Sequence, residues 1–268
     1  MGAVMPRLAV IGYGAMAGYV AAALQGTDWA LDHCIVRQGR EDAARNRLGC
    51  GVELVTDAGG LPGDTALVVD CAGHGGLRAH GAAVLRRGMP LITASLGALA
   101  DAEVYQMLED AAKVGGVQLH LASGAIGGLD ALAAARIGGL DSVTYEGRKP
   151  PQGWRGSAAE QVLKLDELDA AAVHFEGNAR DAALHYPKNA NVAAAVALAG
   201  LGFEETKVRL IADPLAVGNM HRVSASGAFG EMCFEVTGKG LAETPRTSAL
   251  AAMSMVERIL RHDARIRF

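Results

Sequence analysis

The feature that most constrains the fold of this chain is a glycine-rich turn that directly follows an apolar run near its beginning. Residues 8–11 read Leu-Ala-Val-Ile, which is typical of a buried parallel strand. The chain continues as Gly12-x-Gly14-x-x-Ala17-Gly18 and then as an alanine-rich helical pattern. Gly12 allows a sharp turn, Gly14 lets a pyrophosphate approach the backbone, and Ala17 permits close helix–strand packing. The turn predicts a dinucleotide-binding unit, with a tight turn of no further function as the alternative.

The start of the predicted helix is the expected binding site for the pyrophosphate. The first turn of a helix offers backbone N–H groups and a partial positive charge to an anion. The residues that we expect to contact the cofactor here are Gly12, Gly14, Ala15 and Met16.

A basic loop follows the second predicted strand. At this place, about 20 residues beyond the glycines, an acidic residue would bind the ribose hydroxyl of NAD and repel a 2′-phosphate. The chain instead has Arg37-Gln-Gly-Arg40. Two guanidinium groups suit a 2′-phosphate, so we expect NADP to be accepted as well as NAD. A solvated surface loop is the alternative interpretation.

Two kinds of pattern divide the chain near residue 122. Strand and helix patterns alternate up to that point, which predicts a doubly wound parallel sheet of the Rossmann type. Beyond it, strands with one polar face and interspersed helices predict an α+β domain with a mostly antiparallel sheet. We therefore expect a dinucleotide-binding domain at 1–122, completed by a C-terminal helical segment at 241–268. The segment 123–240 is the expected catalytic, substrate-binding and dimerisation domain.

Composition excludes several classes of partner. The chain has 268 residues, half of them hydrophobic, with a formal net charge of −4 and both signs interspersed. Nothing in this composition favours binding to nucleic acid, and no apolar run approaches the length of a membrane span. The first residues do not read as a signal peptide, so we expect a cytoplasmic location. An antiparallel sheet with an uncovered face suits a homodimer interface. No metal-binding motif is present.

Two polar blocks in the second half are candidates for chemistry. Lys188, Asn189 and Asn191 lie at a predicted helix start, where a lysine can reach an anionic substrate and an asparagine can cap the helix. His221 lies at the beginning of a predicted strand. Hydride chemistry at a carbon that bears an amine or a hydroxyl needs a proton acceptor poised near neutral pH, which favours a histidine. A half-buried histidine with satisfied hydrogen bonds is the alternative.

Taken together, six blocks of this sequence resemble the L-aspartate dehydrogenase family. They lie in the family's order along nearly the whole chain: Gly12-Tyr-Gly-Ala-Met, Ser95-Leu-Gly-Ala-Leu-Ala-Asp101, Ser123-Gly-Ala-Ile-Gly-Gly-Leu-Asp130, Tyr186-Pro-Lys-Asn-Ala-Asn-Val192, Ala212-Asp-Pro214 and Asn219-Met-His221. Tyr186 stands where phenylalanine is expected.

The resemblance implies a Rossmann domain, an α/β catalytic domain and NAD(P)-linked oxidation of L-aspartate to iminoaspartate. That product can feed NAD biosynthesis or hydrolyse to oxaloacetate and ammonia. The resemblance also implies that His221 is catalytic and that Ala125 and Asn191 contact the cofactor. Lys188 is our candidate for binding a substrate carboxylate, with Asn189 beside it.

Two other functions stay open. Another two-domain enzyme, such as a homoserine- or dihydrodipicolinate-type reductase, would have a similar Rossmann half. A non-catalytic NAD(P) sensor would bind the cofactor without turning over an amino or hydroxy acid.

Overall fold

The structure is a computed structural model that describes residues 5–187, 189–242 and 244–266. The described chain forms two compact units. The first takes in residues 5–95, 102–122 and 252–266, and the second takes in residues 96–101 and 123–251, apart from the gaps just given. The segment 96–101 lies in the second unit, whereas the sequence pattern assigned it to the first domain.

The first unit contains a six-stranded parallel sheet. Its strands are β1 (Arg7–Ile11), β2 (Ala30–Ile35), β3 (Glu53–Val55), β4 (Thr65–Asp70), β5 (Leu91–Thr93) and β6 (Leu119–Leu121). Its helices include α1 (Ala15–Ala23), α2 (Glu41–Leu48), α3 (His74–Arg86) and α4 (Ala102–Gly115). The strand order is β3-β2-β1-β4-β5-β6, so the order reverses between β1 and β4. Open α/β sheets bind ligands at the carboxyl ends of the strands beside such a reversal. The predicted Rossmann-type sheet is confirmed.

The second unit is built on a five-stranded mixed sheet. Its elements are α5 (Leu129–Gly138), β7 (Leu140–Lys149), β8 (Ala172–Asn178), α6 (Ala179–His185), α7 (Asn191–Ala199), α8 (Gly202–Glu205), β9 (Lys207–Ala212), β10 (Asn219–Gly227) and β11 (Gly230–Gly238). The strand order is β11-β10-β7-β9-β8, and only the pairing of β7 with β9 is parallel. The predicted mostly antiparallel sheet is confirmed. The small pair β12 (Gly240–Leu241) and β13 (Thr244–Ser248) precedes the last helix, α9 (Ala249–His262).

The core of the first unit lies between its sheet and helices from both ends of the chain. Leu8 and Val10 of β1 are fully buried, as expected for a strand in the middle of a parallel sheet. Met255 and Ile259 of α9 belong to the same buried cluster. They are four residues apart and lie on one face of the helix, so α9 contributes an apolar stripe to this core.

The second sheet has one buried face and one polar face, and β7 shows the alternation. Tyr145, Gly147 and Lys149 are buried, whereas Glu146 and Arg148 between them are half-buried. Helix α7, which is almost entirely buried, contacts β7 and is part of the helical cover of this unit. The period of two along a strand therefore sorts the polar side chains of β7 into two separate environments.

Two searches of the described residues have negative outcomes. None of the helices in that part of the chain is long and apolar enough to cross a membrane. Among the same residues, no group of three or more His, Cys, Asp or Glu side chains could bind a metal ion.

Close packing between α3 and α4 generates a stability prediction. Gly115 ends α4, and an ideal Cβ there would lie 1.8 Å from the carbonyl oxygen of Leu85. Gly138 ends α5, and no described atom lies within 4 Å of a Cβ built on it. We expect Gly115→Ala to lower the free energy of unfolding by about 1–3 kcal/mol, because the backbone must move. Gly138→Ala should change it by less than about 0.5 kcal/mol. Urea unfolding measures both, and equal midpoints would contradict the prediction.

Candidate functional site

The glycine turn of the first unit connects the end of β1 to the start of α1. Gly12 has φ +85°, and a Cβ on it would lie 2.8 Å from the Cβ of Ala72, so a glycine is required for two reasons. Gly14 is the N-cap of α1, and no described atom lies within 4 Å of a Cβ placed there. The first turn of α1 contains no acidic residue. Open space, N-terminal amides and the absence of a competing carboxylate fit a bound pyrophosphate.

A buried carboxyl group fixes the loop against which this turn packs. Asp70, the last residue of β4, accepts hydrogen bonds from Thr93 Oγ1 at 2.8 Å, Ser95 Oγ at 2.6 Å and the backbone N–H of Ala72 at 3.0 Å. Burial raises the pKa of Asp70, and these hydrogen bonds oppose that effect. Asp70 thereby positions Ala72 beside Gly12. Asp70 was not predicted as a functional residue, although an acidic residue at the carboxyl end of a buried strand was a usable signal.

The basic loop follows the carboxyl end of β2. Arg37 and Arg40 are both exposed, and the backbone N–H of Arg40 donates to the carbonyl of Arg37 at 3.1 Å. Neither guanidinium makes an ion pair within the part of the chain that the structure describes. Glu41 is near, and its Oε1 accepts from the backbone N–H of Gly39 at 3.1 Å. The loop therefore offers two solvated cations at the edge where a Rossmann sheet binds the ribose.

His221 is the third residue of β10 and lies on the buried face of the second sheet. Its Nδ1 is 2.8 Å from the hydroxyl oxygen of Tyr145, and the two rings are nearly parallel at 16°. Burial, helped by the positive charge of Lys149, lowers the pKa of His221 to about 3. The imidazole is therefore neutral at physiological pH. This differs from the sequence-based expectation of a group poised near neutrality, because that expectation left burial out.

A glycine in β7 makes the contact between Tyr145 and His221 possible. Gly147 is paired with His221 across the two strands. A Cβ on Gly147 would lie 2.7 Å from the hydroxyl oxygen of Tyr145. The missing side chain leaves room for the phenol to reach along the sheet to the imidazole. Glycine inside a strand often marks such a close approach.

Lys149 ends β7 on the same buried face. Lys149 is only 7% exposed. Its Nζ donates to Asn189 Oδ1 at 2.9 Å and lies 4.7 Å from the ring centroid of Trp154. Burial lowers the pKa of Lys149 to about 8. Lys149 was not predicted as a functional residue, and the available signal was a lysine in phase with the apolar positions of a predicted strand.

An aromatic cluster surrounds the lysine. The ring centroid of His174 lies 4.3 Å from that of Trp154, and its Nδ1 is 3.1 Å from the hydroxyl oxygen of Tyr186. His174 Nε2 is buried and has no hydrogen-bond partner among the described residues. Burial and the charge of Lys149 lower the pKa of His174 to about 4. The hydroxyl group that distinguishes Tyr186 from the expected phenylalanine thus has a partner in this cluster.

The block before α7 places its two asparagines in different contacts. Asn191 is the first residue of α7, and its Oδ1 accepts from the backbone N–H of Gly97 at 2.9 Å. Asn189 accepts from Lys149, and the N-cap position is held by Ala190. The alternative interpretation, that these asparagines cap the helix, is wrong because both side-chain oxygens are engaged elsewhere. Lys188 lies outside the described residues.

Ala125 also belongs to the second unit. It is buried and follows Gly124, which has φ +70°. The second unit therefore contains Ala125, Asn191 and His221, whereas Gly12, Gly14, Ala15, Met16 and Arg37 belong to the first.

Comparisons with known proteins match the two halves of the sequence separately. A family model described as the C-terminal part of aspartate dehydrogenase matches residues 130–262, and one described as the NAD-binding domain of homoserine dehydrogenase matches residues 12–122. The L-aspartate dehydrogenase of Ruegeria pomeroyi is 54% identical over 97% of this chain and 94% of its own. That of a Polaromonas species is 46% identical over 96% of this chain and 97% of its own.

A solved structure adds evidence at the level of the fold. The aspartate dehydrogenase of Thermotoga maritima has a TM-score of 0.76 and 26% identity, and the match covers 98% of this chain and 99% of that one. The similarity thus extends over both units and over nearly the full length of each relative. The resemblance seen in the sequence blocks is confirmed, and the chain belongs to the L-aspartate dehydrogenase family.

Proposed function

We propose that this protein catalyses the reversible NAD(P)-dependent oxidative deamination of L-aspartate to iminoaspartate, which hydrolyses to oxaloacetate and ammonia. The observation that carries the proposal is the 54% identity, over 97% of this chain, to a protein named L-aspartate dehydrogenase. The buried face that contains His221 and Lys149 supports it, because an amino acid with two carboxylates needs polar and cationic partners.

The cofactor's binding residues follow from the glycine turn and the family resemblance. Gly12, Gly14, Ala15 and Met16 bind the pyrophosphate, Arg37 accepts a 2′-phosphate, and Ala125 and Asn191 contact the cofactor from the second unit. When bound, NAD(P)⁺ accepts a hydride from the carbon that bears the substrate's amine. The first unit is thus the dinucleotide-binding domain and the second the catalytic domain.

His221 orients the substrate and handles a proton of its amine. Tyr145 engages Nδ1, so Nε2 is the ring nitrogen left for a substrate. We assign the Nδ1–H as the donor to the Tyr145 oxygen, which leaves the lone pair of Nε2 to accept from the substrate's amine. Fixing the ring in one orientation reduces the entropy lost when the substrate is positioned. Lys188 and Asn189 remain candidates for contact with the substrate.

Three wider properties belong to the same proposal. Iminoaspartate is a reactive precursor that suits NAD biosynthesis, and we assign the enzyme that use. We also propose a cytoplasmic location and a homodimer that forms through the second unit. The family resemblance supports the use in NAD biosynthesis and the cytoplasmic location. The sheet face opposite His221 supports the homodimer.

The first prediction concerns activity. Purified protein should oxidise L-aspartate in the presence of NAD⁺ or NADP⁺, and His221→Ala should lower kcat/KM by about 10²–10⁴-fold, since a positioned proton acceptor is lost. The affinity for NADH should not change. Steady-state kinetics on a panel with aspartate and homoserine, together with NADH titration, measure this.

The matched control is His185→Ala. It removes an exposed histidine whose ring nitrogen Nδ1 makes a hydrogen bond with the carbonyl oxygen of Asp181. It should behave as wild type. Turnover of homoserine without turnover of aspartate would contradict the proposed substrate, and near-normal turnover by His221→Ala would contradict the proposed role. Cofactor binding with no turnover of any amino or hydroxy acid would indicate a sensor.

The second prediction is that alanine substitutions at Gly14 and Gly12 have different effects on stability. Gly14 has φ −69° and open space for a Cβ, so Gly14→Ala should leave the free energy of unfolding unchanged within about 0.5 kcal/mol. The added methyl group would nevertheless occupy space that the pyrophosphate needs, so the Kd for NADH should rise at least about tenfold.

Gly12→Ala should lower both the free energy of unfolding and the affinity for NADH, because Gly12 has a positive φ and a Cβ there would meet Ala72. Gly63→Ala, at an exposed site with open space, is the control. Calorimetric titration and urea unfolding provide the two measurements. Unchanged NADH affinity in Gly14→Ala would contradict the assignment of the turn.

The third prediction concerns the 2′-phosphate. Arg37→Ala should raise the Kd for NADPH about tenfold, because a charge-assisted hydrogen bond to phosphate is lost. The Kd for NADH should change less than about twofold by the same argument. Arg86→Ala, which removes an exposed arginine at the end of α3, is the control. Equal increases in the Kd for NADPH and for NADH would show that Arg37 does not bind the 2′-phosphate.

A further inference from the structure

Lys149 is a buried cation that lacks an anionic partner. It makes no ion pair with any residue in 5–187, 189–242 or 244–266. Its contacts are a neutral amide, Asn189, and the ring of Trp154. A buried ammonium group is costly unless it is paired, and replacing one by an apolar residue is often neutral or stabilising. Such a residue is therefore poorly explained by stability alone.

The groups that face Lys149 within the described residues come from several elements, and none of these groups is an acid. Asn189 precedes α7, Trp154 ends the 3₁₀ helix Pro151–Trp154, His174 belongs to β8, and His221 belongs to β10. The charge of Lys149 contributes to lowering the pKa of both histidines, so both lie in its field.

A second observation in the same cluster points to a ligand. His174 is 6% exposed, and its Nε2 is without a hydrogen-bond partner among the described residues. Buried polar atoms are nearly always satisfied in folded proteins, and exceptions call for an explanation. The cluster thus combines an uncompensated positive charge with an unsatisfied polar atom. Both are features of a site that is completed by an anionic ligand.

We propose that the ammonium group of Lys149 binds a carboxylate group of the substrate. The inference deepens the proposed function and rests on it, because L-aspartate has two carboxylates, both ionised at neutral pH. A carboxylate beside Lys149 would form a charge-assisted hydrogen bond, which is among the stronger polar interactions in proteins. It would also supply the negative charge that the cluster lacks.

Substrate binding would then act on His221 through Lys149. Because the positive charge of Lys149 helps to lower the pKa of His221, a carboxylate that neutralises this charge raises that pKa. The imidazole becomes a better proton acceptor once the substrate is bound. The binding of the carboxylate is thereby coupled to the proton-accepting capacity of the catalytic group.

The sign of the pH dependence follows from the same contact. Lys149 has a pKa of about 8 without a ligand, and a bound carboxylate raises it. The carboxylate binds the protonated form of Lys149. The affinity of the protein for the carboxylate is therefore full below pH 8 and falls about tenfold per pH unit above it. A proton-accepting Lys149 would give the opposite slope, because catalysis would rise with pH through the same region.

The test uses succinate, a four-carbon dicarboxylate that lacks the amine and cannot be oxidised at that position. Calorimetric titration of the full chain with saturating NADH, between pH 7 and 9.5, gives the affinity. At pH 7, Lys149→Met should weaken succinate binding at least about 30-fold, since a buried charge pair is lost. The remaining affinity should not depend on pH.

Lys207→Met is the matched control, because it removes an exposed lysine at the start of β9 in the same sheet. It should bind succinate as the wild type does. Lys149→Met should be at least as stable as wild type in urea, since methionine replaces an unpaired buried charge. Lys149→Gln is a second neutral variant in case the first does not fold, and Lys149→Arg should restore part of the affinity.

Three outcomes overturn the inference: no succinate binding by the wild type, wild-type affinity in a folded neutral variant, or a fall in kcat with unchanged affinity. The last would indicate proton transfer by Lys149. The inference and the proposed function fail separately. Normal aspartate turnover by Lys149→Met rejects only the inference. Succinate binding that depends on Lys149, in a protein that does not oxidise aspartate, rejects only the function.

Discussion

The alternation of side chains along β7 is the constraint on which the second unit depends. Tyr145 and Lys149 point to the buried face, whereas Glu146 and Arg148 lie on the other face and form an ion pair. Arg148 also donates to Asp213 at 2.9 Å. A register slip of one residue would bury both members of this ion pair and expose the site. The cost of that exchange fixes the register, and the register places Gly147 opposite His221.

Burial then sets the chemical state of three titratable groups on that face. It lowers the pKa of Lys149 to about 8 and that of His221 to about 3, and it raises the pKa of Tyr145. Each shift favours the neutral form, as desolvation must. Of these three groups, only the lysine is mainly charged at neutral pH. The three groups together therefore present the positive charge of Lys149 among neutral, hydrogen-bonded partners.

The sequence was a good guide to the elements and a partial guide to the site. The apolar run 8–11 predicted a buried parallel strand, and β1 covers Arg7–Ile11 in the parallel sheet. Asn189 and Asn191, at the start of α7, were open to interpretation as helix caps, and that interpretation was wrong. Tyr145 and Lys149 were missed. A strand pattern shows which residues share a face, but which face is buried depends on helices that lie elsewhere in the chain.

The two units differ in how their sequences encode binding. In the first unit the proposed pyrophosphate contacts come from backbone and from missing side chains, so a local run from Gly12 to Ala17 predicts them. In the second unit the key contact joins Tyr145 to His221, which are 76 positions apart. No local pattern reports such a pair, and the polar block that pointed to His221 gave no sign of Tyr145. The proposed substrate-binding residues of the second unit therefore come together only when strands from distant parts of the chain are aligned.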